Sequence, residues 1–227
     1  MAVRFKGAHF PQDIILPWVR WYVASPLSTR HIEALMLERG GHVDHSTVHR
    51  WVIKYRPQLE EAFQRRKRPV WVSWRMDETS IKIKGQWYSL YRAVEKTGQP
   101  IDFLLTEHRD EHAAKRFLTK AIRRHGVPEN ITIDGSAANE AAIKSYNAEH
   151  GTAIAIRQIK YLHNIVEQDH RAVKRIMRPM LGFKSFAAAQ ATLVGVELMH
   201  MIKQRQLGVE EGAEGCTAAE QFYSLAA

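Results

Sequence analysis

The hydrophobic period of this chain changes once, at residue 70, and that change limits the folds open to it. Before it, apolar residues recur at spacings of three and four; after it, they fall in runs rich in β-branched and aromatic residues. Ile14, Ile15, Val19, Tyr22 and Val23 form one helical stripe, which Pro17 disturbs unless it lies near the helix start, and Ser25-Pro26 ends it. Ser28 can cap a second helix with Ile32, Leu35 and Met36 inward, stopped by Gly40-Gly41. Asp44 or Ser46 can cap a third that buries Val48, Trp51, Val52 and Tyr55, with Pro57 just past its end.

Two short helices with a glycine-bearing turn, the second basic on its outer side, read as a helix-turn-helix. Its exposed face carries His45, Ser46, Thr47, His49, Arg50 and Lys54, a mixture of cations and short hydrogen-bonding groups suited to phosphates and base edges. Charge agrees: residues 1–69 hold 12 Lys and Arg against 6 Asp and Glu, so +6 of the chain's net +9 lies in its first third. A small basic head on a nearly balanced body is the layout of a DNA-reading module joined to something else. Arg65, Arg66, Lys67 and Arg68, closed by Pro69, read as a basic linker whose cations are candidates for a phosphate backbone.

Beyond residue 70 the expected order is strand 70–83, strand 86–94, a tight turn at Lys96-Thr97-Gly98-Gln99 and strand 101–106. A helix at 110–125, a strand at 130–133, a helix at 137–150, a strand at 153–159 and helices over most of 163–205 follow. That βββ-α-β-α-β-α succession is the order of the ribonuclease H fold, a mixed α/β sheet with helices on both faces. The expected division is therefore an all-α helix-turn-helix domain over 1–64, a linker over 65–69, an RNase H-like domain over 70–207 and a tail over 208–227. In that tail Glu210, Glu211, Gly212, Glu214 and Gly215 suggest a flexible stretch before a short helix at 218–225.

Three acids hold distinctive places in this order. Asp77 lies inside the first strand, where an ionised carboxylate among apolar neighbours needs a partner or a metal. Asp134 ends the fourth strand before Gly135, at the edge where open α/β sheets collect ligands, although Asp-Gly is also an ordinary turn. Glu167 falls in the helix after the fifth strand. The first and fourth strands are neighbours in this fold, so the two aspartates should stand side by side with Glu167 laid over them. Hard divalent cations choose oxygen ligands, and two of them about 4 Å apart clamp the attacking and leaving oxygens of a phosphoryl transfer. On this reading Asp77 bridges two cations and Asp134 and Glu167 each complete one. Arg171 and Lys174, four and seven residues after Glu167, share its helical face and are candidates for phosphates entering the site, with a Glu167–Arg171 surface pair as the plainer alternative.

At this point the chain resembles the bacterial insertion-sequence transposases of the IS-six group. The segments that carry the likeness are FKGAHFP, VDHSTVHRWV, WRMDETSIKIKGQWYSLYRAVEKTG, IDFLLTEHRDEHAAKRFL, ITIDG and QIKYLHNIVEQDHRAVKRIMRPMLGFKSF. The resemblance implies a DDE transposase that binds the terminal inverted repeats of its element and transposes replicatively. It also implies Mg²⁺, with Mn²⁺ as a substitute, double-stranded DNA as end and target, and a homo-oligomer on that DNA. The family's acidic triad falls on Asp77, Asp134 and Glu167, and its following basic residue on Lys174. His163 stands where the family has Asn, Pro17 interrupts the first helix, and the segment between Asp134 and Glu167 is slightly short.

The alternatives are a transposase-derived repressor that binds without cutting and an RNase H-like nuclease, the latter disfavoured by the fused helix-turn-helix. Glu167-x-x-His170 and Glu197-x-x-His200 match di-iron spacing, but that site needs acids from two more core helices where strands are expected. A lone Cys216 excludes an internal disulfide, and no apolar run approaches the roughly 20 residues of a membrane span. A cytoplasmic, nucleoid-associated protein with no membrane partner is the expectation.

Overall fold

The computed structural model describes residues 3–159, 163–178, 183–208 and 215–227, with side chains in its sixth helix from Val166 onward. His163, as a side chain, and the tail acids Glu210, Glu211 and Glu214 lie outside the described residues.

The chain divides into two compact units, one of residues 1–68 and 172–227, the other of residues 69–171. In the first, α1 (Gln12–Ala24), α2 (Thr29–Glu38) and α3 (His45–Arg66) are joined by α7 (Phe186–Lys203) and α8 (Ala218–Ser224). Caps fall where short polar side chains invite them: Ser28 accepts from the His31 amide and Asp44 from the Ser46 amide. The turn between α2 and α3 closes with Gly41 N–H on the Met36 carbonyl at 2.8 Å, after Gly40 at φ 75°.

Several expectations are corrected here. Pro57 does not end the third helix. The proline stands on its exposed side, where water can satisfy the carbonyl freed by the missing N–H, and Tyr55, Leu59 and Phe63 continue the buried stripe at spacing four. Pro17 likewise lies inside α1, and Ile14 faces outward rather than into the stripe.

Residues 65–69 are not a separate linker. Arg65 and Arg66 form the last turn of α3, Lys67 bridges to Leu207, and the Arg68 amide donates to the Gln206 carbonyl at 3.0 Å. The boundary at 207 also moves. α7 is apolar on nearly every side, with 13 buried residues from Ala189 to Ile202, and a helix of that kind must be enclosed by others. It packs on α1 and α3, and α8 packs on it. Local periodicity marks such a helix but does not say which neighbours enclose it.

The second unit is a five-stranded sheet of order β3-β2-β1-β4-β5, made of β1 (Ser73–Ile83), β2 (Gln86–Glu95), β3 (Pro100–Thr106), β4 (Asn130–Ile133) and β5 (Ala155–Gln158). β1, β2 and β3 are antiparallel neighbours, while β4 runs parallel to both β1 and β5. The first hairpin turns at Lys84 and Gly85, both at positive φ, as a two-residue connection requires. β1 starts three residues later than expected because Trp71 and Val72 are exposed.

α4 (Glu111–His125) and α5 (Ala137–His150) cover one face. Trp74, Met76, Tyr91, Ile131 and Ile133 point into their core with Phe117, Leu118 and Ile143. α6 (His163–Met177) brings Asp169 and His170 to the other face. This is the α/β arrangement of the ribonuclease H fold.

Candidate active site

Parallel pairing between β1 and β4 matches Ser73 with Asn130, Trp74 with Ile131 and Arg75 with Thr132. Two residues beyond that last pair, Asp77 comes level with Asp134 on the face that α6 occupies, on strands roughly 4.8 Å apart. Both line one small cavity of about 10 Å³, whose walls include Arg75, Thr132 and Val166. That is room for about one water-sized sphere. Asp134 is steadied by its own turn, its Oδ1 accepting from the Ser136 amide at 3.2 Å. The His170 Nδ1 lies 3.8 Å from the Asp77 Oδ2, with the ring 6% exposed.

Glu167 is one residue from Val166 in the cavity wall, but its carboxylate is turned outward. Its Oε1 accepts from Arg171 Nη2 at 2.9 Å, the plainer of the two roles expected for Arg171. The three acids therefore do not share one ligand sphere. Among the described residues the group of three metal-ligand side chains within 4.8 Å of one another is Glu33, Asp44 and His45. Those three have local roles: Asp44 caps α3, and His45 Nδ1 lies 3.1 Å from Glu33 and 3.2 Å from Asp44. Asp44 and His45 also sit at the N-terminus of α3, whose partial positive charge disfavours a cation.

Behind the aspartates, the next residue of β1 faces the opposite core. Glu78 is 3% exposed there, paired with the Arg109 guanidinium and accepting from Asn139 Nδ2 at 2.8 Å. Glu78 and, more weakly, Asp134 push the Arg109 pKa up. Burial first, then Glu78 and Asp110, push Tyr91 up to about 12.

On the near face, Arg92 and Asp169 form an ion pair at 2.6 Å, with 1% and 3% of their side chains exposed. Sequence reasoning passed over Arg92, Asp169, Glu78 and Arg109. A charge inside an otherwise buried run such as Leu90 to Glu95 was the available signal, since such a charge demands a partner.

The candidate DNA contacts divide into two sets. Ser46, Arg50 and Lys54 are exposed along α3, with Arg50 donating to Thr47 at 2.6 Å. His49 is half-buried, and burial lowers its pKa, so its neutral form is favoured. Arg65 pairs with Glu61, and Arg66 donates to the Ser224 carbonyl at 3.1 Å, so these cations already serve the helical unit. Lys174 is exposed on α6, one turn after Arg171.

A sheet in the ribonuclease H order, with two aspartates lining one cavity beside α6, is an arrangement that a polynucleotidyl transferase can use. Residues 71–206 match the model of a transposase family described as a DDE domain. The chain is 35% identical over 209 residues to the transposase of the insertion sequence-like element IS431mec of Staphylococcus aureus, covering 88% of this chain and 89% of that protein. The transposase of IS257 in transposon Tn4003, also from Staphylococcus aureus, matches to the same extent. The chain belongs to this family, the DDE transposases of insertion sequences in the IS-six group.

Among solved structures, the HTLV-2 integrase catalytic core with magnesium aligns at 18% identity and a TM-score of 0.46, over 66% of this chain and 94% of that one. The BIV integrase core aligns at 17% and 0.43, over 67% and 93%. A transposase acts on DNA, and the oxygen donors of Asp77 and Asp134 on one small cavity fit a hard cation. No described helix is long and apolar enough to cross a membrane.

Proposed function

We propose that this transposase binds the terminal inverted repeats of its element through α2 and α3, and joins DNA 3′-ends to target DNA with Asp77, Asp134 and Glu167. The observation that carries the reading is the level placement of Asp77 and Asp134 on one cavity, with the glutamate-bearing helix forming part of its wall. Asp77 and Asp134 supply oxygen ligands from adjacent strands, and Glu167 leaves Arg171 to close the set. Mg²⁺, with Mn²⁺ as its substitute, supplies charge stabilisation to the scissile phosphate and activates the attacking oxygen when bound. No side chain needs to become covalently attached to DNA.

Ser46, Thr47, Arg50 and Lys54 read or brace the end sequence, while Arg171 and Lys174 meet phosphates beside the acids. A homo-oligomer holds two ends together on nucleoid DNA, and the outcome is replicative joining of donor and target. The test is Asp134→Asn, which keeps the side-chain shape and removes the charge. Mg²⁺-dependent joining of end oligonucleotides should be lost while their binding is kept; retained joining overturns the assignment.

A further inference from the structure

We propose that Arg92 is a positioning residue for the catalytic glutamate, acting through Asp169. The inference rests on the proposed role of Glu167. Arg92 stands directly across from Asp77 in the antiparallel pairing of β1 and β2, so both side chains leave the sheet on the α6 face. Its Nη2 meets the Asp169 carboxylate at 2.6 Å, and its Nη1 donates to the Asp169 main-chain carbonyl at 3.0 Å. One guanidinium thus holds both the side chain and the backbone of the same helical residue. A contact to the side chain alone would let the helix slide or roll; the second contact removes that freedom.

The distances along α6 explain why this matters. Val166, Asp169 and His170 lie at spacings of three and four and form the buried stripe of the helix, and Glu167 sits about 100° around from Val166. A slip of one residue moves a helical side chain by about 1.5 Å along the axis and 100° around it. Val166 already lines the cavity, so such a slip carries the neighbouring Glu167 out of reach of the two aspartates and leaves no charged side chain of α6 in its place.

A fully buried ion pair is a poor source of stability, because desolvation offsets most of its attraction, and its best attested use is to fix registry. An apolar pair of similar volume would fill the same space without fixing register. Arg92 and Asp169 are both nearly fully enclosed, and the pair joins the strand beside Asp77 to the helix that bears Glu167. His170 comes next along, its Nδ1 3.8 Å from the Asp77 Oδ2, so two successive residues of α6 face β2 and β1.

The experiment replaces the pair by Arg92→Met with Asp169→Leu in the full chain, beside Arg92→Lys and Asp134→Asn. Four quantities are read: the unfolding temperature, binding of end DNA, Mn²⁺ affinity from the paramagnetic resonance of the free ion, and joining across an Mg²⁺ series. The double variant should unfold within a few degrees of the parent and bind end DNA unchanged, while Mn²⁺ affinity and joining each fall at least tenfold. A folded double variant with both within twofold of the parent overturns the proposal. If the double variant does not fold, Arg92→Lys decides. It keeps the charge but loses the two-armed grip, so raised half-saturating Mg²⁺ supports the proposal and an unchanged value overturns it. Loss of joining in Asp134→Asn beside an active double variant rejects only the positioning role, whereas joining by Asp134→Asn rejects the site itself.

Discussion

Arg171→Ala measures how firmly the third acid is held away from the other two. The Glu167–Arg171 pair spans one helical turn, with 47% and 72% of the side chains exposed, so solvent screens most of its attraction. Exposed pairs of this kind contribute about 0.3–0.5 kcal/mol, which corresponds to about a twofold change in population. Freeing Glu167 should therefore lower the half-saturating Mg²⁺ for end joining by no more than about twofold. The assay is joining of end oligonucleotides over an Mg²⁺ series at fixed ionic strength, with DNA binding followed in parallel against salt. If Arg171 meets one phosphate, the slope of log affinity against log salt becomes shallower by about 0.9. A shift of tenfold or more in half-saturating Mg²⁺ refutes the reasoning. It would require about 1.4 kcal/mol from the pair, making it a lock rather than a resting contact.

Two further outcomes test the fold. A Cβ at Gly195 would lie 2.5 Å from Val23 Cγ1, where α7 meets α1, so Gly195→Ala should destabilise by roughly 1–3 kcal/mol and Val23→Ala should recover part of it, read by denaturant titration. Tyr91 is raised to about 12 from an unfolded value near 10, so its stabilising share is complete below pH 10 and fades as pH climbs toward 12. Tyr91→Phe should flatten that alkaline decline in unfolding temperature; an unchanged decline would reject the assignment.

Much of the second unit was legible locally. β4 and α5 fall on their expected bounds because Asn130 to Ile133 is a short buried run with three β-branched residues between turn residues and Gly151 stops the helix in the left-handed region. The adjacency of β1 and β4 was legible because the βββ-α-β-α-β-α order is that of the ribonuclease H fold. The extent of α3 was not, since a proline reads as a stop until the distant burial of Leu59 and Phe63 overrides it. The placement of α7 and α8 with the first three helices was hidden for a related reason: periodicity tells which face is buried and never against what. The Arg92–Asp169 and Glu78–Arg109 pairs join residues 77 and 31 positions apart, a distance no local pattern spans.

The strands that lead to Asp77 and Asp134 are held side by side by a main-chain ladder at Ser73 to Arg75 and Asn130 to Thr132, and not by the fit of any side chain. A backbone ruler does not stretch when the residues around it are exchanged. Exchanges in the apolar layer beneath α4 and α5 therefore leave the spacing of β1 and β4 at roughly 4.8 Å, since hydrogen bonds between main chains set it.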